Sequence, residues 1–143
     1  VEYYINIPSN SGMKAILLFA DMDSLKVVND KFGHKDGDFA LKNIANILSQ
    51  SFGPHDVIGR IGGDEFVCFA FIDDSDYVTE VQRKIKDFSA ELNATCGKPY
   101  FIEMSVGVTE FVCDGEQTIE DLLSQADTAL YSNKRYKRMS ILK

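Results

Sequence analysis

The stretch DVIGRIGGDEFVCFAFI, residues 56–72, decides the fold of this chain. Two apolar runs flank the pair Gly62-Gly63, a pattern typical of two antiparallel strands joined by a tight turn. Asp64 and Glu65 stand at the start of the second run. Carboxylates beside a buried strand are costly unless they are solvated, paired or bound to a metal. The hairpin therefore predicts a sheet, and its two acids form either a solvated turn or a site.

Further strands are expected on both sides of the hairpin. Residues 14–23, KAILLFADMD, form a continuous apolar run that ends in acids. Such a run is typical of a central strand covered on both faces. Residues 100–112, YFIEMSVGVTEFV, predict another strand, and residues 139–143, MSILK, are expected to add a last short one.

Apolar residues spaced by three and four predict the helices. A short helix over residues 24–33 closes at Gly33, and a longer helix follows it. A third helix covers residues 78–92, and a capping pair, Thr118 with Asp121, opens a fourth. The order β-α-α-β-β-α-β-α favours an α+β fold, a ferredoxin-like palm with one mostly antiparallel central sheet and flanking helices.

Bulk composition excludes several classes of protein. The 143 residues are 45% hydrophobic and 26% charged, which fits one soluble domain. No apolar run approaches the roughly 20 residues that span a bilayer, and no signal peptide is visible. The net charge of -7 argues against a nucleic-acid binder, which would show a basic face. The cysteines and histidines lack zinc-ligand spacing, and a reducing cytosol fits the scattered cysteines best.

Acids also end the first strand. Asp21 and Asp23 lie two residues apart, so their side chains can share one face. If that strand neighbours the hairpin, Asp21 and Asp64 meet at one edge of the sheet. Hard cations such as Mg2+ prefer oxygen ligands of this kind, completed by water and substrate phosphates. Gly62 and Gly63 can adopt positive φ and let a phosphate approach the backbone. A plain solvated hairpin turn is the alternative.

Four blocks in one order carry a resemblance to a known family. They are GGDEF at 62–66, DMDSLKVVNDKFGHKDGDFAL at 21–41, MSVGV at 104–108 and ADTALYSNK at 126–134. Through these blocks, residues 14–143 resemble the diguanylate cyclase (GGDEF) family, and residues 1–13 are left as a linker or a cloning remnant. The resemblance implies the nucleotide-cyclase type of palm. It also implies condensation of two GTP molecules into cyclic di-GMP with release of pyrophosphate.

The resemblance implies a metal site with Mg2+ or Mn2+ as cofactor. Asp21, Asp64 and Glu65 fall on the family's ligand positions, and the backbone carbonyl of Met22 also contributes. Asp64 and Glu65 are the candidate catalytic residues. Glu65 falls on the family's second acid, which is either a metal ligand or a group that assists deprotonation of the ribose 3′-hydroxyl. Two cations can activate the attacking oxygen and stabilise charge on the phosphates.

Other positions match the family's nucleotide contacts. Asn29 and Asp38 fall where guanine is recognised, and a carboxylate suits the hydrogen-bond donors of guanine. As ordinary residues, both would cap or end helices. Lys26, Lys134 and Arg138 match phosphate contacts. The alternative for Lys26 is a place on a solvated helix face. The alternative for Lys134 and Arg138 is that their charges complement the dipole at the end of a helix.

The sequence departs from the family's pattern at three places. The inhibitory product site is an Arg-x-x-Asp, but here Gly53 replaces the arginine while Asp56 remains. Feedback inhibition through this site is therefore expected to be weak or absent, because only a guanidinium offers the bidentate fork. The tail at residues 137–139 reads KRM instead of Gly-Arg-Asn, and the family's opening motif is missing from residues 1–13.

The resemblance also implies partners. One domain holds one GTP, so catalysis needs a homodimer, which is transient for an isolated domain. A covalently linked sensor domain is expected outside this chain, which is cytoplasmic itself or the cytoplasmic part of a larger membrane-anchored protein. No nucleic acid and no membrane span are expected. Two alternatives stay open: a catalytically silent GTP-binding or protein-interaction module, and another nucleotide cyclase on the same palm, against which Asp38 speaks.

Overall fold

The structure is a computed structural model that describes residues 14–74, 76–112 and 119–142, with backbone alone at residues 119, 120, 123 and 136–142. The expected linker at residues 1–13 and the capping residue Thr118 lie outside these ranges. The strands are β1 (Lys14–Met22), β2 (Val57–Arg60), β3 (Glu65–Ile72) and β4 (Met104–Val112). The helices are α1 (Leu25–Phe32), α2 (His34–Ser51), α3 (Asp76–Thr95) and α4 (Ile119–Leu142).

The four strands form one antiparallel sheet in the order β2-β3-β1-β4. The predicted hairpin is confirmed, since β2 pairs with β3 from Val57 opposite Phe69 to Arg60 opposite Phe66. β1 lies between β3 and β4, and its last residues pair with the first residues of both neighbours. The acidic end of β1 therefore lies beside the turn of the hairpin.

Both faces of β1 are covered, as its apolar run predicts. Ile16, Leu18 and Ala20 belong to the larger core, which α1, α2 and α3 close. Ala15 and Leu17 alternate with them and pack on the opposite face, where α4 contributes Leu122 and Ala126. Phe66, the last letter of the GGDEF motif, is 3% exposed and belongs to the larger core.

Helix α4 packs unusually close to β4 at Gly107. A Cβ built on this residue would lie 2.8 Å from the carbonyl carbon of Ala129, and closer still to the backbone of Leu130 and Ala126. Further along the helix, Asn133 Oδ1 accepts a hydrogen bond from the Val106 N–H at 3.0 Å. These contacts fix the position of the following residue, Lys134, relative to the sheet.

Two expectations about strands are wrong. Residues 139–142 continue α4 and form no strand. A short apolar run does not distinguish helix from strand by itself, and here the helix satisfies the backbone internally. The strand expected from Tyr100 begins only at Met104. The side-chain amide of Asn93 takes the place of a neighbouring strand at Ile102. It accepts a hydrogen bond from the Ile102 N–H at 2.7 Å and donates one to the Ile102 carbonyl oxygen at 2.9 Å.

Within the described part of the chain, none of the helices combines the length and the apolar character that a membrane crossing requires.

Candidate active site

Three carboxylates converge where β1 ends and β3 begins. Asp21 stands opposite Glu65 in the ladder, and the Met22 N–H donates to the carbonyl oxygen of Asp64 at 3.1 Å. One oxygen from each of Asp21, Asp64 and Glu65 lies within 4.8 Å of the others. The sheet edge therefore brings together the acids that the sequence predicted would meet. Asp23 is not part of this cluster, and its carboxylate accepts a hydrogen bond from Ser105 Oγ at 2.7 Å.

The turn that carries two of these acids is held by backbone contacts and by Arg60. The Ile61 N–H donates to the Glu65 carbonyl oxygen at 3.0 Å. Arg60 Nε donates to the Gly62 carbonyl oxygen at 3.1 Å, and its Nη2 donates to that of Gly63. Gly62 and Gly63 do not use the positive φ that glycine allows, since the described glycines with positive φ are Gly33 and Gly97. The turn is still open, because a Cβ on Gly63 would meet nothing within 4 Å.

Asp21 is the buried member of the cluster, with a side chain 8% exposed. Lys134 Nζ pairs with its Oδ2, while Oδ1 is buried and has no hydrogen-bond partner. Burial raises the pKa of Asp21 to about 6; Lys134 opposes this rise and the carboxylate of Asp64 adds to it. Burial acts to lower the pKa of Lys134, but its hydrogen bond to Asp21 and the surrounding acids raise it above the usual value.

This donor set fits a divalent cation. All three side chains offer carboxylate oxygens, the ligands that Mg2+ and Mn2+ favour. The unpartnered Asp21 Oδ1 is costly where it stands, because a buried acceptor without a hydrogen bond loses its hydration without compensation. A cation among the three acids would satisfy it. The contribution of the Met22 carbonyl stays a prediction.

Asn29, one of the two residues predicted to recognise guanine, packs on the turn of α2 that carries the other, Asp38. A Cβ on Gly37 would lie 2.9 Å from Asn29 Cγ and closer still to Oδ1, so the Asn29 side chain lies directly on this turn of α2. Asp38 follows Gly37 and is exposed. The capping alternative for Asp38 is wrong, because α2 begins at His34, four residues earlier, with Gly33 as its N-cap.

A cavity of about 480 Å³ opens between α2 and β2. Asp38 and Lys42 line it from the helix, and Arg60 and Phe66 line it from the hairpin. Arg60 also holds the Gly-Gly turn, so one side chain contacts both this cavity and the turn that carries Asp64 and Glu65.

The predicted phosphate contacts are placed unequally. Lys134 lies at the acid cluster, in contact with Asp21. Lys26 is exposed on the first turn of α1. Arg138 lies one helical turn after Lys134 on α4, and its side chain is outside the described part of the structure.

Asp56, the remaining acid of the expected product site, is engaged within the domain. The Gly53 N–H donates to its Oδ2 at 2.7 Å, and the Tyr77 hydroxyl donates to the same oxygen. Burial, and then the hydrogen bond to Asp56, raises the pKa of Tyr77 to about 12, so this hydroxyl keeps its proton. The carboxylate thus ties the loop before β2 to α3.

Sequence reasoning missed several residues that support the site. Arg60, Asn133 and Ser105 lie within or beside the quoted motifs GGDEF, ADTALYSNK and MSVGV, so their closeness to the motifs was a usable signal. Tyr77 lies 21 residues from Asp56 and Ser105 lies 82 residues from Asp23. No local pattern announces a contact over such separations.

Comparison with known proteins identifies the family. The family model described as "Diguanylate cyclase, GGDEF domain" matches residues 3–140. The chain belongs to the GGDEF family. The diguanylate cyclase DgcP of Escherichia coli strain K12 is 32% identical over 127 residues, which are 87% of this chain and 37% of that relative. This GGDEF chain therefore spans well under half the length of that curated relative.

Two solved structures show the same fold. The GGDEF domain of TpbB (YfiN) from Pseudomonas aeruginosa is 26% identical, with a TM-score of 0.81 over 94% of this chain and 79% of that one. The active GGEEF domain of a diguanylate cyclase from Vibrio cholerae is 27% identical, with a TM-score of 0.75 over 87% of this chain and 78% of that one. The predicted α+β palm is confirmed for this GGDEF domain.

Proposed function

We propose that this GGDEF domain is a diguanylate cyclase that joins two GTP molecules into cyclic di-GMP and releases two pyrophosphates. The acid cluster carries the proposal: three carboxylates converge within 4.8 Å, and buried Asp21 keeps one oxygen without a partner. In this proposal, the cavity at Asp38 receives the base, and the ammonium of Lys134 receives the phosphates.

Each bond-forming step is a phosphoryl transfer. The 3′-oxygen of one GTP attacks the α-phosphorus of the other, the hydroxyl proton leaves, and the bond to pyrophosphate breaks. Bound Mg2+ or Mn2+ supplies charge neutralisation on the phosphates and acidifies the hydroxyl. Asp21, Asp64 and the Met22 carbonyl hold the cation in this proposal. Glu65 is exposed at the rim of the cluster, where it can complete the ligand set or take the hydroxyl proton.

Substrate selection follows from the neighbouring residues. Asn29 and Asp38 are proposed to bind the guanine edge, since a carboxylate accepts from its ring N–H and its amine together. Adenine offers no such pair of donors. Lys26, Lys134 and Arg138 are proposed to neutralise the triphosphate.

The product needs two copies of the domain. Each site holds one GTP in this proposal, so two acid clusters must face each other in a transient homodimer. Ile61, on the turn that carries the acids, is 54% exposed, which suits a contact that forms and breaks. We propose that residues 14–143 are the domain and that residues 1–13 are a linker or a cloning remnant. A covalently linked sensor domain lies outside this chain in this proposal, and the GGDEF domain works in the cytoplasm.

The test is product analysis after incubation with GTP and Mg2+ across a range of protein concentrations. Cyclic di-GMP should form, with a rate per domain that rises with concentration. Asp64→Ala and Glu65→Ala should each abolish product while the far-UV circular dichroism stays that of the folded domain. Glu91→Ala removes an exposed acid on α3, outside the site, and should keep the activity.

Two outcomes would contradict the proposal. Tight GTP binding without product, even when two domains are fused or cross-linked as a pair, would make the domain a silent GTP-binding module. Equal competition by ATP and GTP for the site would contradict guanine selection and favour another nucleotide cyclase.

A further inference from the structure

We propose that Lys134 is a tethered cation that competes with the metal for Asp21, so that metal binding releases its ammonium to the triphosphate. The inference rests on the proposed metal site of the cyclase and deepens it. It assigns Lys134 a second partner within the domain, in addition to the phosphates. It also predicts that metal affinity rises when the ammonium of Lys134 is removed, whereas a role in phosphate binding alone predicts no change in metal affinity without nucleotide.

The contact that supports this exchange is made inside the acid cluster. Lys134 Nζ pairs with Asp21 Oδ2, and this is the one ion pair that the described residues make with the three clustered acids. Asp21 is 8% exposed, so water screens the pair weakly on the carboxylate side. The ammonium therefore occupies one of the two Asp21 oxygens, and a metal that binds Asp21 must share this carboxylate with it.

The backbone of α4 is held against β4 next to the lysine. Gly107 lets α4 approach β4 so closely that even a methyl group would not fit between them. One residue before the lysine, Asn133 accepts the hydrogen bond from Val106. The long aliphatic chain of Lys134 is flexible, and its side chain is 33% exposed. The exchange is therefore a rotation of one side chain toward solvent, where a bound triphosphate would lie.

Competition fixes the sign of the effect. Two cations that share one carboxylate oppose each other, so a metal must displace the ammonium before it uses Oδ2. Removal of the ammonium should therefore strengthen metal binding in the absence of nucleotide. The expected change is about tenfold, which is the size of the effect that a charge a few ångströms away has on the ionisation of a carboxyl group. With GTP present, the same removal should weaken nucleotide binding, because the phosphates lose their partner.

The experiment measures Mn2+ binding without nucleotide, from the electron paramagnetic resonance signal of free Mn2+. Wild type, Lys134→Met, Lys26→Met and Asp21→Asn are compared at one pH and ionic strength. Lys26 is the matched control, since it has the same predicted phosphate role but is exposed on α1 and has no ion pair with the described acids of the cluster. Lys134→Gln, also neutral, gives the same comparison if the methionine variant does not fold.

The expected result is tighter Mn2+ binding in Lys134→Met, unchanged binding in Lys26→Met, and loss of binding in Asp21→Asn. Unchanged Mn2+ affinity in the folded Lys134 variant would overturn the proposal, leaving a phosphate contact only. Weaker affinity would also overturn it, because Lys134 would then hold Asp21 in place for the metal. Absence of Mn2+ binding in every protein would overturn it too. Formation of cyclic di-GMP by the wild type would still show separately whether the proposed activity stands.

Discussion

Replacement of Gly107 by alanine should separate α4 from the sheet. The new Cβ would lie 2.8 Å from the Ala129 carbonyl carbon and closer still to the backbone of Leu130 and Ala126. Since these neighbours are backbone atoms, no change of rotamer relieves the overlap. The helix must withdraw by roughly 1 Å to reach an ordinary carbon contact of about 3.5 Å. Gly107 has no positive φ, so the effect is steric and carries no backbone strain.

The cost has three parts. Overpacking of a core typically destabilises by about 1–3 kcal/mol. Withdrawal of α4 also breaks the hydrogen bond from Val106 to Asn133, worth about 1 kcal/mol. Alanine restricts the unfolded chain, which offsets about 0.4–1 kcal/mol. The free energy of unfolding should therefore fall by about 2 kcal/mol, which lowers Tm by roughly 7 °C in a domain of this size.

Urea and thermal unfolding followed by far-UV circular dichroism measure this change. Gly59→Ala is the matched control on β2, because its Cβ would lie 3.8 Å from Val67 Cγ1, an ordinary contact. That variant should change the free energy of unfolding by less than about 1 kcal/mol. If Gly107→Ala unfolds at the same urea midpoint as Gly59→Ala, the steric reasoning is wrong.

Three further predictions concern nucleotide binding, acid stability and feedback. Gly37→Ala should push the Asn29 side chain away from its position on α2. GTP binding, measured by calorimetry, should weaken about tenfold, which corresponds to the loss of one hydrogen bond. Tm should not fall, because alanine favours a helix. Hydrogen bonds from Tyr100 and then from Lys98 lower the pKa of Asp36. The stabilisation from this carboxylate is therefore present above the ordinary carboxyl pKa and is lost as pH falls below about 4. Asp36→Asn should accordingly lower Tm at pH 7, and the difference from wild type should vanish in acid. Added cyclic di-GMP should leave the initial rate of the wild type unchanged, and Asp56→Ala should not alter this.

Each of these predictions has a distinct contradiction. Unchanged GTP affinity in Gly37→Ala would show that Asn29 does not bind the nucleotide. A Tm difference for Asp36→Asn that persists at low pH would assign its effect to packing, with Asp30→Asn as the control on an exposed acid of α1. Inhibition by micromolar product that Asp56→Ala abolishes would show a working product site without its arginine.

The sequence predicted what depends on local pattern. The Gly-Gly hairpin, the buried β1 and the helical stripes follow from periodicity, and all are present. The meeting of Asp21 with Asp64 was conditional on β1 neighbouring β3, and the ladder supplies that condition. The roles of these acids and of the nucleotide contacts stay predictions.

What the sequence could not predict depends on contacts between distant residues. The start of β4 is set by Asn93, whose amide takes both backbone groups of Ile102 before the ladder begins. The hydrogen bond from the Tyr77 hydroxyl to Asp56 joins two residues that lie 21 positions apart. An amide or hydroxyl in a helix carries no sequence signal for such a partner, because only the folded chain brings the two together.

The ladder around β1 has a consequence for which length changes the domain tolerates. Side chains alternate along β1, and Asp21 stands opposite Glu65 on one side and Ser105 on the other. An insertion or deletion of one residue within β1 would turn this carboxylate to the opposite face and bring an apolar neighbour into its place. The connection from β3 to α3, at the far end of the sheet, can change length without shifting the acids. Single-residue insertions scanned along the chain should therefore abolish metal binding when they fall in β1 and spare it in that connection.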